Sequence, residues 1–337
     1  MSDILADRLL TVLRHTTGTP TLTFAAPPER LTGGFWAELV AFRLRGAPDG
    51  WDRDLVARVM PEPAVAHKET LVQTEVASRG FATPTVRTAG GPDDGLGRAF
   101  IVMDRACGVP LLGGLDGAKA LARLPQLAAA LPETLPVTMA ALHRLDPEPL
   151  RHRLGDHSPV PVTVQAMLDH LRSASEALRR PHLAQAARWL TDNPPPPAPD
   201  VICHGDLHPF NLLVGPHGDV TVLDWSATLI GPRAYDVAFT SLMLAVPPVT
   251  APAPLCPVVR SAGRVLARRF IRRYRRHSGV TIHPPSLQWH QAVVCLRALV
   301  EVAGWRPDEL AARANHPWVL SGANFASRVS TLTGVVA

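Results

Sequence analysis

The 337-residue sequence predicts an α+β protein of two lobes, a small antiparallel-sheet lobe over residues 1–106 and a mainly helical lobe over residues 107–337. Three observations predict it. Between Thr21 and Met103, short runs of strand-forming residues alternate with turns around one inserted helix. After the connection DRACGVPL the apolar spacing changes to the helical period. The length also exceeds the roughly 100–200 residues of a single domain, so two core-forming units are expected.

The elements follow in chain order. The opening MSDILADRLLTVLRH has helical periodicity and two early aspartates, where an export signal needs a basic start and an unbroken apolar stretch. A cytoplasmic location is therefore expected. TLTFA, LTGG, FWAELVAFRL and LVARVM, with the polar loop APDGWDRD before the last, read as the small sheet. A helix from roughly Val65 to Arg79 ends at Gly80, a residue that takes the left-handed conformation of a helix cap. Two further strands are expected around Thr85 and at AFIVM. Helices are then predicted over 117–145, 162–180 and 182–192. The tract NPPPPAPD cannot be helix or strand and reads as a stiff connector into the strand VICH. NLLV and VTVLDW are two strands joined by the turn GPHGD, and from Ala234 onward the chain reads as helices with proline breaks.

Composition excludes several classes. Apolar residues make up 46% and charged residues 19%, which supports a packed core and excludes wholesale disorder. The net charge of +5 allows an anionic ligand, but basic residues are not interleaved with aromatics as in a nucleic-acid binder. Cys107, Cys203, Cys256 and Cys295 stand far apart, which suggests neither a zinc knuckle nor a disulfide framework. Residues 237–259 carry no charge, yet Pro247, Pro248, Pro252, Pro254 and Pro257 break any spanning helix there. Arg260, Arg264, Arg268, Arg272 and Arg276 recur every four residues opposite Ala262, Leu266, Phe270 and Tyr274, an amphipathic helix whose basic face reads as solvated. No nucleic-acid or membrane partner is expected, and the state is monomer or homodimer.

The chemistry concentrates in HGDLHPFNLLVGPHGDVTVLDW, residues 204–225. Asp206, Asn211 and Asp224 fall at loop positions beside short strands. Phosphoryl transfer needs Mg²⁺ to neutralise phosphate charge, oxygen ligands to hold the ion, and a carboxylate to orient the attacking hydroxyl, and these three residues supply that inventory. Zinc is disfavoured at Cys203, His204 and His208, because Gly205 and Pro209 interrupt the helix their spacing would need.

The pattern H-G-D-x-x-x-x-N, followed thirteen residues after Asn211 by the aspartate of L-D-W, resembles the catalytic and metal-binding loops of the aminoglycoside phosphotransferase and choline kinase-like family. That resemblance implies a protein-kinase-like fold, ATP as phosphoryl donor with GTP possible, and Mg²⁺. It implies that Asp206 is the catalytic base or hydroxyl positioner, that Asn211 and Asp224 are metal ligands, and that His204 braces the loop. Further resemblances run along the chain. LTGG, with Gly33 and Gly34, matches the phosphate-covering turn, and IVMDRACGVPL, with Met103, Asp104 and Arg105, matches the hinge that reads adenine through backbone groups. ALHRLD matches a recurrent helix end, and GPRAYDVA matches the segment after the metal aspartate, with Asp236 structural.

Two departures stand out. The strand expected to carry a phosphate-pairing lysine reads LVARVMP, so Arg58 takes that place, with Glu69 as its helix partner and Glu75 the second choice. Phe210 stands where the family usually has glycine. The residues also have plainer readings: Gly33 and Gly34 as a hairpin turn, Arg58 as a solvated strand residue, Lys68 as surface charge, Met103 as core, and His143 and Asp146 as packing or capping residues.

The resemblance thus implies an enzyme that transfers the γ-phosphoryl group to a hydroxyl of a small metabolite or antibiotic. The alternative is a nucleotide-binding pseudokinase that regulates a protein partner, motivated by the missing lysine and opposed by the three retained residues. A basic-surface binding protein has only the arginine helix in its favour. Beyond Asp236 the only acids are Glu301, Asp308 and Glu309, against twelve arginines. That balance suits an uncharged or acidic acceptor better than a polycationic aminoglycoside, although Asp169 and Glu176 add acids earlier in the chain.

Overall fold

A computed structural model describes residues 3–31, 37–111, 133–155, 158–246, 256–314 and 316–336. Gly33, Gly34, Arg260's side chain and much of the helix expected over 117–145 lie outside the described residues. The chain divides into two compact units. The first holds Met1–Pro110, His152–Val160 and Leu212–Ser226, and the second holds Leu111–Arg151, Pro161–Asn211 and Ala227–Ala337.

The first unit opens with helix α1 (Asp3–Thr17) and then forms strands β1 (Thr23–Phe24), β2 (Glu29–Leu31), β3 (Glu38–Arg45), β4 (Asp54–Met60), β5 (Val86–Gly90) and β6 (Ala99–Asp104). They pair antiparallel in the order β1-β3-β4-β6-β5, with β2 also on β3. Strand alternation decides which side chains face the core. Leu55, Ala57 and Val59 of β4 are buried against Leu9, Val12 and Leu13 of α1. Val56 and Arg58 therefore point to the opposite face, where Met60, Ile101 and Met103 pack on Ala66 of helix α2 (Pro63–Ser78). Pro63 starts α2, where its missing N–H costs nothing, and Gly80 follows it at φ 75.

The structure corrects the reading of Lys68, which is buried at 5% exposure and is not a surface charge. Lys68, Val72 and Glu75 form a row beside the stripe of Ala66, Glu69, Val72, Gln73 and Val76, so the covered face of α2 is wider than its apolar residues indicate. The first unit also contains β7 (Val109–Pro110), β9 (Leu212–Val214) and β10 (Val220–Val222), a small antiparallel sheet in the order β10-β9-β7. The β9–β10 turn closes through Gly215 N–H to the Asp219 carbonyl at 2.8 Å, with Gly218 at φ 83.

In the second unit, helix α3 (residues 133–142) precedes α4 (Glu148–Leu154, beginning in this unit), α5 (Val164–Ala177) and α6 (Pro181–Asp192). Asp146 accepts from the Glu148 N–H at 3.1 Å, a capping contact, and Thr163 caps α5 by accepting from Ala166 N–H at 3.1 Å. The proline tract is irregular and leads into β8 (Asp200–Cys203), which pairs with β11 (Leu229–Pro232), a strand the sequence did not reveal. Helices α7 (Arg233–Ala245), α8 (Cys256–Ser278), α9 (Pro284–Gly304), α10 (Pro307–Ala312) and α11 (Pro317–Thr333) complete the unit. The run Ala292 to Leu296 in α9 is buried throughout, so the middle of this helix is covered on all sides within the core. On α8, Phe270 and Tyr274 are buried while Arg264, Arg268, Arg272 and Arg276 are exposed; Ala262, expected on the apolar face, is exposed too. Among the described residues no helix is long and apolar enough to cross a membrane.

Candidate active site

In the first unit, the face of β4 opposite α1 opens into a cavity of about 410 Å³, within the size range of small-molecule sites. Val56, Leu39 and Leu213 supply apolar lining, and Arg58, Glu69 and Asp224 supply charge. Met103, Asp104 and Arg105 also line it. Six residues singled out from the sequence as nucleotide- or metal-side candidates thus share one cavity.

Arg58 bridges two carboxylates. Its Nη2 donates to Asp224 Oδ2 at 3.0 Å, and its Nε lies 3.3 Å from Glu69 Oε2. Glu69 rather than Glu75 is therefore its helix partner; Glu75 binds Arg79 Nε at 2.7 Å and Arg153 Nε at 2.7 Å. Glu69 is 1% exposed, and burial pushes its pKa up to about 7 even though the Arg58 charge pulls it down. Glu69 Oε2 accepts no hydrogen bond among the described residues.

Asp224 has φ 64, one of two non-glycine residues with positive φ among the described residues. Aspartate tolerates this region better than most residues, and such conformations cluster where function over-determines the backbone. Ser226 holds the carboxylate, its Oγ donating to Oδ1 at 2.6 Å. The following Trp225 is fully buried, with its indole N–H donating to Thr83 Oγ1 at 2.9 Å. Thr83 in turn donates to the Val222 carbonyl at 2.9 Å, so the L-D-W segment is fixed on both sides of Asp224.

At the end of β6, the Asp104 side chain is already occupied. Arg87 grips it with two hydrogen bonds, at 2.6 and 2.7 Å, and Arg53 adds a third at 3.3 Å. The N–H groups of Asp104 and Arg105 donate to Thr85 and Asp54 carbonyls. Ala106 lines the same cavity, and its N–H has no internal acceptor among the described residues.

In the second unit, β8 delivers His204, Gly205 and Asp206. The buried Asp236 of α7 accepts from the His204 N–H at 2.8 Å and the Gly205 N–H at 2.7 Å. Its Oδ2 also meets His143 Nε2 at 3.1 Å, and His143 Nδ1 meets the Tyr274 hydroxyl at 2.8 Å. Burial would raise the Asp236 pKa, but the His143 hydrogen bond and the loop amides outweigh it and hold it below the usual aspartate value. Gly205 sits at φ 76, and a Cβ there would lie 2.2 Å from the Ala227 carbonyl oxygen, so no other residue fits. His204 is fully buried, and its Nδ1 accepts from Asp206 N–H at 3.3 Å.

Asn211 closes this loop by donating from Nδ2 to the Asp206 carbonyl at 3.0 Å and to Asp206 Oδ2 at 3.2 Å. Its amide oxygen has no hydrogen-bond donor among the described residues, and an amide oxygen with a carboxylate is the hard donor set magnesium takes. The residues fit that ion. Two further residues at the loop were not singled out for function in the sequence. His208 Nε2 lies 3.6 Å from Asp206 Oδ2, and Arg297 of α9 donates to the Gly205 carbonyl at 3.1 Å. His208 is near in sequence and could have been found; Arg297 is distant and gave no local signal. Phe210 is exposed and meets the His208 ring edge-on.

Solved structures share this fold at low identity. A protein of Ralstonia eutropha JMP134 described as an aminoglycoside phosphotransferase is 19% identical, with 96% of this chain and 98% of that chain covered and a TM-score of 0.61. A thermostable mutant of aminoglycoside phosphotransferase APH(4)-Ia, in ternary complex with AMP-PNP and hygromycin B, is 19% identical over 98% and 99% of the two chains, with a TM-score of 0.60. Macrolide 2'-phosphotransferase type I is 17% identical over 96% and 98%, with a TM-score of 0.59. No curated protein matches the sequence. The model described as the phosphotransferase enzyme family matches residues 40–278, which is more than half of the chain and includes both loops that carry Asp206, Asn211 and Asp224. With its protein-kinase-like α+β fold, this chain belongs to the phosphotransferase enzyme family.

Proposed function

We propose that the protein is an ATP-dependent O-phosphotransferase that moves the γ-phosphoryl group to a hydroxyl of a small metabolite or antibiotic. The observation that carries this reading is the cavity in the first unit, which combines apolar walls, the hinge residues Met103 to Ala106, and the charged group of Arg58, Glu69 and Asp224. An adenine ring fits the apolar walls, with the Ala106 N–H as a backbone donor. Arg58 supplies positive charge for phosphate oxygens, and Glu69 fixes its guanidinium from behind. Gly33 and Gly34 are proposed to cover the phosphates.

Asn211 and Asp224 are the proposed ligands of Mg²⁺, which when bound neutralises phosphate charge and aligns the transferred group. Asp206 is the proposed hydroxyl positioner: it accepts the hydrogen bond of the acceptor hydroxyl and takes its proton as transfer proceeds. Asn211 orients Asp206 through the 3.2 Å amide contact, while His204 and Asp236 hold the loop that carries it. GTP is the competing donor, and the cytoplasm the proposed location. ADP release from Mg–ATP, assayed against hydroxylated metabolites and antibiotics, tests the reading. Acceptor-stimulated release is expected. A thermal shift with Mg–AMP-PNP but no turnover with any acceptor would favour a pseudokinase.

A further inference from the structure

Arg297 is a half-buried charge that makes no close ion pair among the described residues. It lies on α9, directly after the buried run Ala292 to Leu296. Both of its protein hydrogen bonds use one nitrogen: Nη1 donates to the Gly205 carbonyl at 3.1 Å and to the Tyr235 hydroxyl at 3.5 Å. The guanidinium carbon lies over the Trp318 ring, 5.3 Å from its centroid. Such a cation–π contact uses no N–H hydrogen-bond donor of the arginine. Neither Nε nor Nη2 has a hydrogen-bond or ion-pair partner among the described residues, and neither is among the sealed, unsatisfied atoms of the interior. Burial lowers the pKa of this arginine, but Tyr235, Glu301 and Asp206 nearby outweigh that, so the group keeps its charge.

The Nε–Nη2 edge is the one with which arginine grips a carboxylate or phosphate through two parallel hydrogen bonds. Glu301 and Asp206 act on the guanidinium at range, but neither closes an ion pair on this edge, so its two donors stay open to an incoming anion. Here the open edge sits on the residue that binds Gly205, the immediate neighbour of Asp206.

We propose that Arg297 is the acceptor-binding residue for an oxyanion, and that the acceptor is a hydroxyl compound carrying a carboxylate or phosphate near the hydroxyl presented to Asp206. This rests on the phosphotransferase reading above and narrows its acceptor class. Tyr235 and Trp318 set the direction of the guanidinium, and its charge excludes polycations from the same place.

The test titrates matched probes against the full-length protein saturated with Mg–AMP-PNP, with melting temperature as the readout. The probes are glucose, glucuronate, glucose 6-phosphate and kanamycin. At least one of the two acids is expected to stabilise the protein more than glucose or kanamycin, and comparing the two acids separates carboxylate from phosphate. Arg297→Gln is expected to weaken that response at least tenfold, and Arg297→Lys, which keeps the charge but not the fork, to retain part of it. Should Arg297→Gln fail to fold, Arg297→Lys decides alone through a measurably weaker acid response. Equal responses to acids and glucose, no response to either acid, or an acid response unchanged in the folded variants overturns the proposal. A missing response to Mg–AMP-PNP itself strikes the nucleotide reading instead, so the two failures are distinguishable.

Discussion

The two units hold their candidate carboxylates by opposite means. In the first, Asp224 is held by another candidate side chain of the cavity: Arg58 donates to Asp224 and pairs with Glu69. In the second, Asp206 is positioned through the backbone. Asp236 captures two loop N–H groups, Asn211 and Arg297 each take a carbonyl, and His143 and Tyr274 extend the network away from the site. The difference teaches where each kind of damage should appear. Substitutions in the first unit change charge balance, and so ligand binding and pH response; substitutions behind the loop in the second change geometry and stability.

Asp206→Ala makes the most extreme test. It removes the proposed hydroxyl positioner without touching the cavity of the first unit, so kcat should fall by roughly 10²–10⁴-fold while Mg–AMP-PNP binding persists. A variant that transfers phosphate at the wild-type rate would exclude Asp206 from the chemistry. Asp236→Ala probes the same unit one layer back. It leaves two loop N–H groups and His143 Nε2 unpaired in the interior, a loss of roughly 3–5 kcal/mol of stability. Urea unfolding monitors it, and an unchanged midpoint would mean the loop is held by its other contacts.

The same contrast explains what could be read from the sequence. The catalytic and metal candidates were legible because Asp206, Asn211 and Asp224 occupy one continuous stretch with fixed spacing. The Arg58–Glu69 pair was legible because one strand and the next helix carry it. The network behind Asp206 was not, since His143, Asp236, Tyr274 and Arg297 come from separate helical segments and meet only in the tertiary fold. Lys68 was misread because a charged residue beside an apolar stripe carries no sequence mark of burial. Strands β7 and β11 escaped because they are two and four residues long and each contains a proline.

Glu69 sharpens the comparison through pH. Its folded pKa of about 7 exceeds the usual 4.5, so between those values the folded protein holds a proton that the unfolded chain has released. That contribution is complete below about pH 4.5 and is lost as pH rises to about 7, a change of about 3 kcal/mol. Glu69→Gln should remove this part of the pH dependence of the melting temperature, whereas no matching loss belongs to Asp236, whose pKa is lowered. Parallel wild-type and Glu69→Gln profiles across that range would show that Glu69 does not titrate there.

The smallest expected effect separates arginine's shape from its charge. Arg58 reaches Asp224 through Nη2 and Glu69 through Nε, two ends of one rigid fork. In Arg58→Lys the positive charge remains, so neither carboxylate is left wholly uncompensated and the fold should survive. A single ammonium on a flexible stem cannot hold both acids in the same geometry while facing phosphate oxygens. Nucleotide affinity should therefore fall about tenfold, equivalent to about 1.4 kcal/mol, with stability nearly unchanged. Isothermal titration with Mg–AMP-PNP measures it. Affinity equal to wild type would mean that only the charge of Arg58 matters, and the first unit would then rely on electrostatic balance with no geometric demand of the kind the second unit imposes on its loop.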